Sequence, residues 1–295
     1  MTNVAQLIDD AALQAWPLPP LDHGCDKEAR GRVVIIAGSR EIPGAAILSA
    51  QAALRAGAGK VLIGTAESVA MHVAVAMPEL RVVGLPETAT GGFAPQGLAR
   101  LQKALAGACA VLIGPGMQDE EASVLLTLAL RHRFPDVPTI LDAVAMGAAS
   151  KELMPDTPVL LTPHAGEMAH LSGEAKERIL DDPERAARDA ARVWNAVVAL
   201  KGATTVIADP GGRQWRHEGG NVGLATAGSG DVLAGLIAGF VARGATLAQA
   251  AAWGVAVHAQ AGERLVARLG GVGFLASELP GEVPALLQSL APVEA

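Results

Sequence analysis

The chain is predicted to be an α/β protein, a wound and mostly parallel sheet with helices on both faces. Two observations predict it. Short apolar, β-branched runs without polar alternation recur along the whole length, as strands buried on both faces do, and helix-like segments fall between them. Of the 295 residues, 51% are hydrophobic and 18% charged, which provides for a sizeable core and excludes general disorder.

The strands are expected at 33–37, 61–63, 111–113, 139–141, 159–161, 197–200 and 205–208. Helices are expected at 43–56, 120–133 and 183–195, and then, past Asp231, at 232–243 and 247–269. The last two are apolar on more than one face, so they cover the sheet and hint at a homo-oligomer. Residues 1–30 read as an N-terminal helix with a Pro-rich lead-in (Trp16-Pro17-Leu18-Pro19-Pro20) lying over the body. No Pro/Ser-rich linker and no fixed-period repeat interrupts the pattern, and a single domain over 1–295 is expected.

Composition excludes several classes. There is no tyrosine, so packing relies on Ala, Val, Leu and Ile, and the net charge of -7 argues against a nucleic-acid surface. The two cysteines, Cys25 and Cys109, lie far apart and fit no disulfide framework. The cluster Asp22-His23-Gly24-Cys25-Asp26 lacks the second ligand pair a metal site needs. With no secretory signal and no apolar stretch of membrane-spanning length, the protein is expected in the cytoplasm.

In wound sheets, ligands bind beyond the carboxyl ends of the strands. The chemically interesting residues follow strands: Gly38-Ser39, Gly64-Thr65, Gly114-Pro115-Gly116, Asp142, Thr162-Pro163-His164 and Lys201-Gly202. The strongest signal is Gly220-Asn221 through Ala225-Thr226-Ala227-Gly228-Ser229-Gly230-Asp231, a glycine-rich turn that opens an apolar helix. Unpaired backbone N–H groups and the helix dipole there suit phosphate oxygens. Asp231, at the lip, is placed to take a proton from a hydroxyl under phosphorylation, or else merely to cap the helix. Lys201, leaving a buried strand, can set its ammonium near phosphates or be a solvated strand end.

Taken in this order, Gly38-Ser39, Pro43-Gly44-Ala45-Ala46, Gly114-Pro115-Gly116, Leu141-Asp142-Ala143, Thr162-Pro163-His164-Ala165-Gly166-Glu167, Lys201-Gly202-Ala203-Thr204-Thr205 and the turn ending at Asp231 resemble the ADP-dependent NAD(P)H-hydrate dehydratases of the ribokinase-like superfamily. The resemblance runs from about Gly31 to Ala261. It implies a ribokinase-like three-layer sandwich and a repair enzyme that restores NADH or NADPH from the S hydrate. The ring hydroxyl is phosphorylated by ADP or ATP with Mg²⁺, and phosphate is then eliminated. Carried over by motif, substrate contacts fall at Ala45, Gly116, His164 and Asp231, with Asp231 catalytic. The nucleotide would be held by Lys201, Gly202, Ala203, Thr204, Thr205, Gly228, Ser229 and Gly230. Glu167 would organise Mg²⁺ through water, or sit as a first-turn carboxylate that suits the helix dipole.

Three departures from the family pattern stand out. Val144 replaces the second carboxylate of Asp-Ala-Asp-Ala-Leu, Asp26-Lys27-Glu28 replaces His-Lys-Gly, and Ala165 replaces a proline. Two other readings stay open: a small-molecule kinase of the hydroxymethylpyrimidine or thiazole type, and a catalytically silent nucleotide-binding protein permitted by Val144. About thirty residues precede the first expected strand, too few for the epimerase domain that many bacterial relatives carry, so a separate epimerase partner is expected.

Overall fold

A computed structural model describes residues 4–21, 24, 26–151 and 158–291. Asp22, His23 and Cys25 of the N-terminal His/Cys cluster fall outside them. Ten strands form one sheet: β1 (Gln6–Leu7), β2 (Arg32–Ile36), β3 (Lys60–Ala66), β4 (Arg81–Leu85), β5 (Ala110–Ile113), β6 (Thr139–Leu141), β7 (Val159–Leu161), β8 (Val197–Leu200), β9 (Thr204–Ala208) and β10 (Gln214–Glu218). Their spatial order is β1-β10-β9-β8-β7-β6-β5-β2-β3-β4, and only β9 runs antiparallel to its neighbours.

Successive strand residues point to opposite faces, so each central strand feeds two cores. Val33, Ile35, Leu112 and Ile140 pack beneath α1 (Asp10–Ala15), α2 (Gly44–Arg55), α10 (Ser229–Ala242), α11 (Leu247–Leu269) and α12 (Leu279–Leu290). Val34, Ile36, Val111 and Leu141 pack beneath α4 (Leu98–Leu105), α5 (Glu120–Arg133), α7 (Ala165–Ser172), α8 (Lys176–Asp181) and α9 (Pro183–Trp194). Helix, sheet and helix make the expected three layers. Two short helices, α3 (Ala70–Ala76) and α6 (Gly147–Lys151), complete the set.

The expected strands and helices are all present, with ends moved by a few residues. Gly64 and Thr65 are an exception to their expected place: they lie inside β3, and Thr65 is fully buried, because β3 runs on to Ala66 alongside β4. Strands β1, β4 and β10 go beyond the expectation. They lie at or near the sheet edges, where sequences rich in polar residues such as Gln214-Trp215-Arg216-His217-Glu218 carry no continuous apolar run. The N-terminal segment does lie over the body. Trp16 stacks on Trp215 with ring centroids 5.5 Å apart, and its carbonyl accepts from Trp253 Nε1 at 2.9 Å.

The homo-oligomer expectation loses its ground here. Every residue of α10 except Gly230 and Asp231 is buried, and most of α11 is too, so their apolar faces are covered by the chain itself. Contact between α2 and α10 is unusually close. A Cβ on Gly235 would stand 2.2 Å from the Ser49 carbonyl oxygen, and one on Gly239 2.6 Å from that of Ala53. Small residues on both helices thus allow backbone approach, and Ser49 Oγ donates to the Asp231 carbonyl at 3.0 Å. This packing fixes the start of α10 over the carboxyl edge of the sheet.

Candidate active site

Along the chain, β2, β3 and β4 build one side of the sheet, and β5 begins the other by pairing with β2 on its free edge. Such a switch point leaves a crevice beyond the strand ends. The turns after β2 and β5 meet there: Gly38 N–H donates to the Pro115 carbonyl at 2.7 Å. Gly116, at φ 64°, lies so close to α2 that an added Cβ would stand 2.5 Å from Ala45 Cβ. Ala45 is buried, so its side chain shapes the turn, and what α2 offers to a ligand is its N-terminal backbone.

A charged cluster lies at the ends of β6, β7 and β8. Asp142 is buried, and its Oδ1 accepts from Thr162 Oγ1 at 2.6 Å and from Lys201 Nζ at 3.3 Å. Lys201 Nζ also faces Glu167 Oε2 at 3.8 Å. Burial acts to lower the Lys201 pKa, but the carboxylates of Asp142, Glu167 and Asp231 outweigh it and hold the ammonium above its ordinary value. Asp231 moves the other way. Burial first, and the charge of Asp142 second, raise its carboxyl from 3.8 to about 6 against the pull of Lys201. A carboxylate with that pKa is ionised at neutral pH yet basic enough to accept a proton.

The start of α10 has Gly228 as N-cap at φ 88°, with no side-chain cap bond, so Asp231 is not spent on capping. A Cβ on Gly228 would meet Leu48 at 2.5 Å, which is why only glycine fits this turn. Ser229 is buried and held from behind: His258 Nε2 lies 3.1 Å from its Oγ and 3.0 Å from its carbonyl oxygen. Burial, with some repulsion from Lys201, pushes His258 down to about 4 despite its bond to Ser229, so it is neutral at pH 7. Gly230 leaves open space in which Lys201 Nζ is the nearest atom, 3.5 Å from a notional Cβ.

Beside this turn opens a cavity of about 770 Å³. Lys201, Gly202, Ala203, Thr205, Ser229 and Gly230 line it, together with His164. Of the remaining residues expected at the nucleotide, Gly228 is the α10 N-cap, and Thr204 opens β9 opposite Glu218 and does not line the cavity. Asp231 is also absent from the cavity lining and lies beyond the turn with Asp142 and Lys201.

His164 and Glu167 form a capping box on α7. His164 Nδ1 accepts from Gly166 and Glu167 N–H at 3.0 and 3.2 Å, while Glu167 Oε2 accepts from the His164 N–H at 2.8 Å. The first-turn reading of Glu167 is thus the one seen here, a cap that also faces the Lys201 ammonium. His164, with Nδ1 occupied as acceptor, keeps Nε2–H as a donor in its neutral form. It also borders a second cavity of about 360 Å³, lined by Val144, Met146, Glu167 and His170 among others. Among the described residues no group of three or more His, Cys, Asp or Glu is arranged to hold a metal ion unaided.

Sequence reasoning did not single out His258, His217 or Asn221, which also border the larger cavity. His258 sits mid-helix in an apolar stretch and His217 on β10, next to the edge strand β1, where no local signal marks them. Asn221 was visible only as part of the Gly-Asn motif.

Comparison with known proteins gives a consistent result. The sequence model of a family described as NAD(P)H-hydrate dehydratase matches residues 33–284. A protein of Xanthomonas campestris pv. campestris named ADP-dependent (S)-NAD(P)H-hydrate dehydratase is 49% identical, over 95% of each chain. The bifunctional NAD(P)H-hydrate repair enzyme of Moorella thermoacetica is 39% identical over 94% of this chain, which spans about half (53%) of that protein. The crystal structure of the ADP/ATP-dependent NAD(P)H-hydrate dehydratase of Bacillus subtilis, co-crystallized with ATP/Mg²⁺, superposes with a TM-score of 0.83 at 29% identity, covering 98% of this chain and all (100%) of that one.

Proposed function

The chain belongs to the NAD(P)H-hydrate dehydratase family, and from that membership we propose that Asp231 and the turn before it carry the phosphoryl step of its reaction. The fold is ribokinase-like, and the activity is the ADP-dependent dehydration of S-hydrated NADH or NADPH to the reduced cofactor. The observation that carries the assignment is a half-buried carboxylate in the first turn of α10, raised to about 6 by burial and the charge of Asp142 and pulled down by that of Lys201.

Hydroxide is a poor leaving group from the hydrated ring and phosphate a good one. ADP or ATP supplies the phosphoryl group, and Mg²⁺ neutralises its charge. The 770 Å³ cavity would take the nucleotide, and Mg²⁺, which keeps waters and binds through one or two carboxylates plus phosphates, would be held through water by Glu167, the carboxylate that faces the Lys201 ammonium at its edge. Lys201 and the N–H groups of Gly228 and Gly230 bind and orient the phosphates, while the Ser229 N–H is held by the Thr226 carbonyl. Asp231 accepts the proton of the ring hydroxyl as its oxygen bonds to the terminal phosphorus, whose bond to the bridging oxygen breaks with its electron pair leaving on the departing AMP or ADP. Phosphate then leaves with the electron pair of its C–O bond as a proton leaves the adjacent ring carbon. The turns at Ala45 and Gly116 and the Nε2–H of His164 hold the hydrated ring.

The decisive experiment incubates purified protein with the S hydrate of NADH, ADP and Mg²⁺, and follows the absorbance of reduced nicotinamide. Recovery is expected, and it stops when Mg²⁺ is chelated or both nucleotides are omitted. Recovery that proceeds without nucleotide refutes the reading. We further propose a single cooperative domain in the cytoplasm, served by an epimerase on another chain. Addition of such an epimerase should double the yield from a mixture of R and S hydrates. Among the described residues no helix is long and apolar enough to cross a membrane.

A further inference from the structure

His258 is a buried titratable group that the reaction as drawn above does not use. It lies within α11, 8% exposed, and its Nε2 meets two atoms of one residue of α10, the Ser229 carbonyl oxygen at 3.0 Å and Oγ at 3.1 Å. A carbonyl only accepts, so Nε2 carries the proton and shares its N–H between the two oxygens. Burial, which lowers the His258 pKa to about 4, keeps the ring in this neutral form.

The Ser229 carbonyl and the Gly230 N–H belong to one peptide unit. That unit is planar and trans, so the two groups point in opposite directions. With the carbonyl held toward α11, the Gly230 N–H is turned away from it. Gly230 is the second residue of α10 and has no acceptor for this N–H within the helix. It borders the larger cavity together with Lys201, whose Nζ is the nearest atom to a notional Cβ on it, at 3.5 Å. Glycine on each side of Ser229 gives this turn more conformational freedom than other residues would, and the first turn of a helix is where it frays. The helical bond from the N–H four residues on uses one lone pair of the Ser229 carbonyl, and His258 takes the other. A carbonyl that accepts twice polarises its peptide and makes the N–H at the far end a stronger donor.

We propose that His258 is a positioning residue for the phosphoryl step: from α11 it locks the Ser229–Gly230 peptide so that the Gly230 N–H is aimed at the phosphate to be transferred. The donor is then in place before charge develops on that phosphate, which is where a preorganised dipole contributes most. This inference rests on the turn before Asp231 being the phosphate site.

Calorimetric titration of the full chain with ADP and with AMP, each with Mg²⁺, tests it on the unaltered protein, on His258→Leu, which removes the donor, and on His258→Gln, whose side-chain N–H reaches the same region. AMP lacks the phosphate to be transferred and so reports on the rest of the cavity. His258→Leu should lower the preference for ADP over AMP about tenfold while AMP affinity stays the same, and His258→Gln should restore most of that preference. In the unaltered protein, ¹⁵N spectra should show His258 protonated at Nε2 and bare at Nδ1, and the Gly230 amide proton should move downfield on addition of ADP but not of AMP. An unchanged preference in His258→Leu overturns the proposal. Equal loss of affinity for both nucleotides, or a glutamine variant no better than leucine, marks His258 as packing alone and overturns it too. Should the leucine variant fail to fold, a proton on Nδ1 or an unmoved Gly230 amide overturns it from the unaltered protein. An unaltered protein without preference for ADP over AMP defeats the phosphate reading of the turn as well, whereas a preference that ignores His258 defeats this inference alone.

Discussion

Replacing Asp231 by asparagine separates catalysis from stability in one residue. The substitution keeps shape and hydrogen-bonding capacity but removes the base, and general base assistance is typically worth about 10² to 10⁴ in rate. Turnover of the S hydrate should fall by that order while ADP affinity changes little. Stability should move the opposite way. Asp231 binds its proton more tightly folded than unfolded, so the folded chain loses stability as pH rises from about 4 to about 6, and the full cost is present at pH 7. A rise from 3.8 to about 6 corresponds to at most about 3 kcal/mol at 1.36 kcal/mol per unit. Asparagine never ionises, so Asp231→Asn should melt a few degrees higher at pH 7 and match the unaltered protein near pH 3. Thermal unfolding across pH 3–8 and initial rates on the same samples provide both readouts. The unaltered enzyme should lose kcat/KM below about pH 6. Near-normal turnover in the variant removes Asp231 from the mechanism. A loss of stability at pH 7 makes it a structural residue.

Lys201→Met removes the cation that holds Asp231 down, so the acid limb of the rate profile should move above pH 6 while ADP affinity falls; an unmoved limb refutes the influence of Lys201 on Asp231. Gly230→Val should crowd the Lys201 ammonium and weaken ADP binding in a protein with unchanged circular dichroism, and unaltered affinity counts against the phosphate turn. Gly235→Ala forces a methyl group to within 2.2 Å of the Ser49 carbonyl, so α10 must shift off α2, with a loss of roughly 1–3 kcal/mol in denaturant titration. Val144 is half-buried at the wall of the smaller cavity; Val144→Asp should leave stability nearly intact and raise turnover, and a large loss of activity would mean the crevice has repacked around the valine.

Local pattern alone determined the layers, the central strands from β2 to β9 apart from β4, and the long helices, because burial on both faces leaves continuous β-branched runs and helix periodicity is written in neighbouring residues. It also marked the turn at 228–231, since glycine at positive φ before an apolar helix is a local requirement. What the tertiary structure decided is what depends on distant partners. Lys201 meets Asp142 across 59 residues, Ser49 meets the Asp231 backbone across 182, and His217 meets Ile8 across 209. No local window contains both members of such a pair. The basicity of Asp231 and the neutrality and tautomer of His258 are therefore properties of the folded neighbourhood, where burial and charge act through space. The apolar surplus of α10 and α11 carried the same ambiguity. Sequence cannot distinguish a face that meets another subunit from one that meets α2, and the close backbone approach at Gly235 and Gly239 resolves it within the chain.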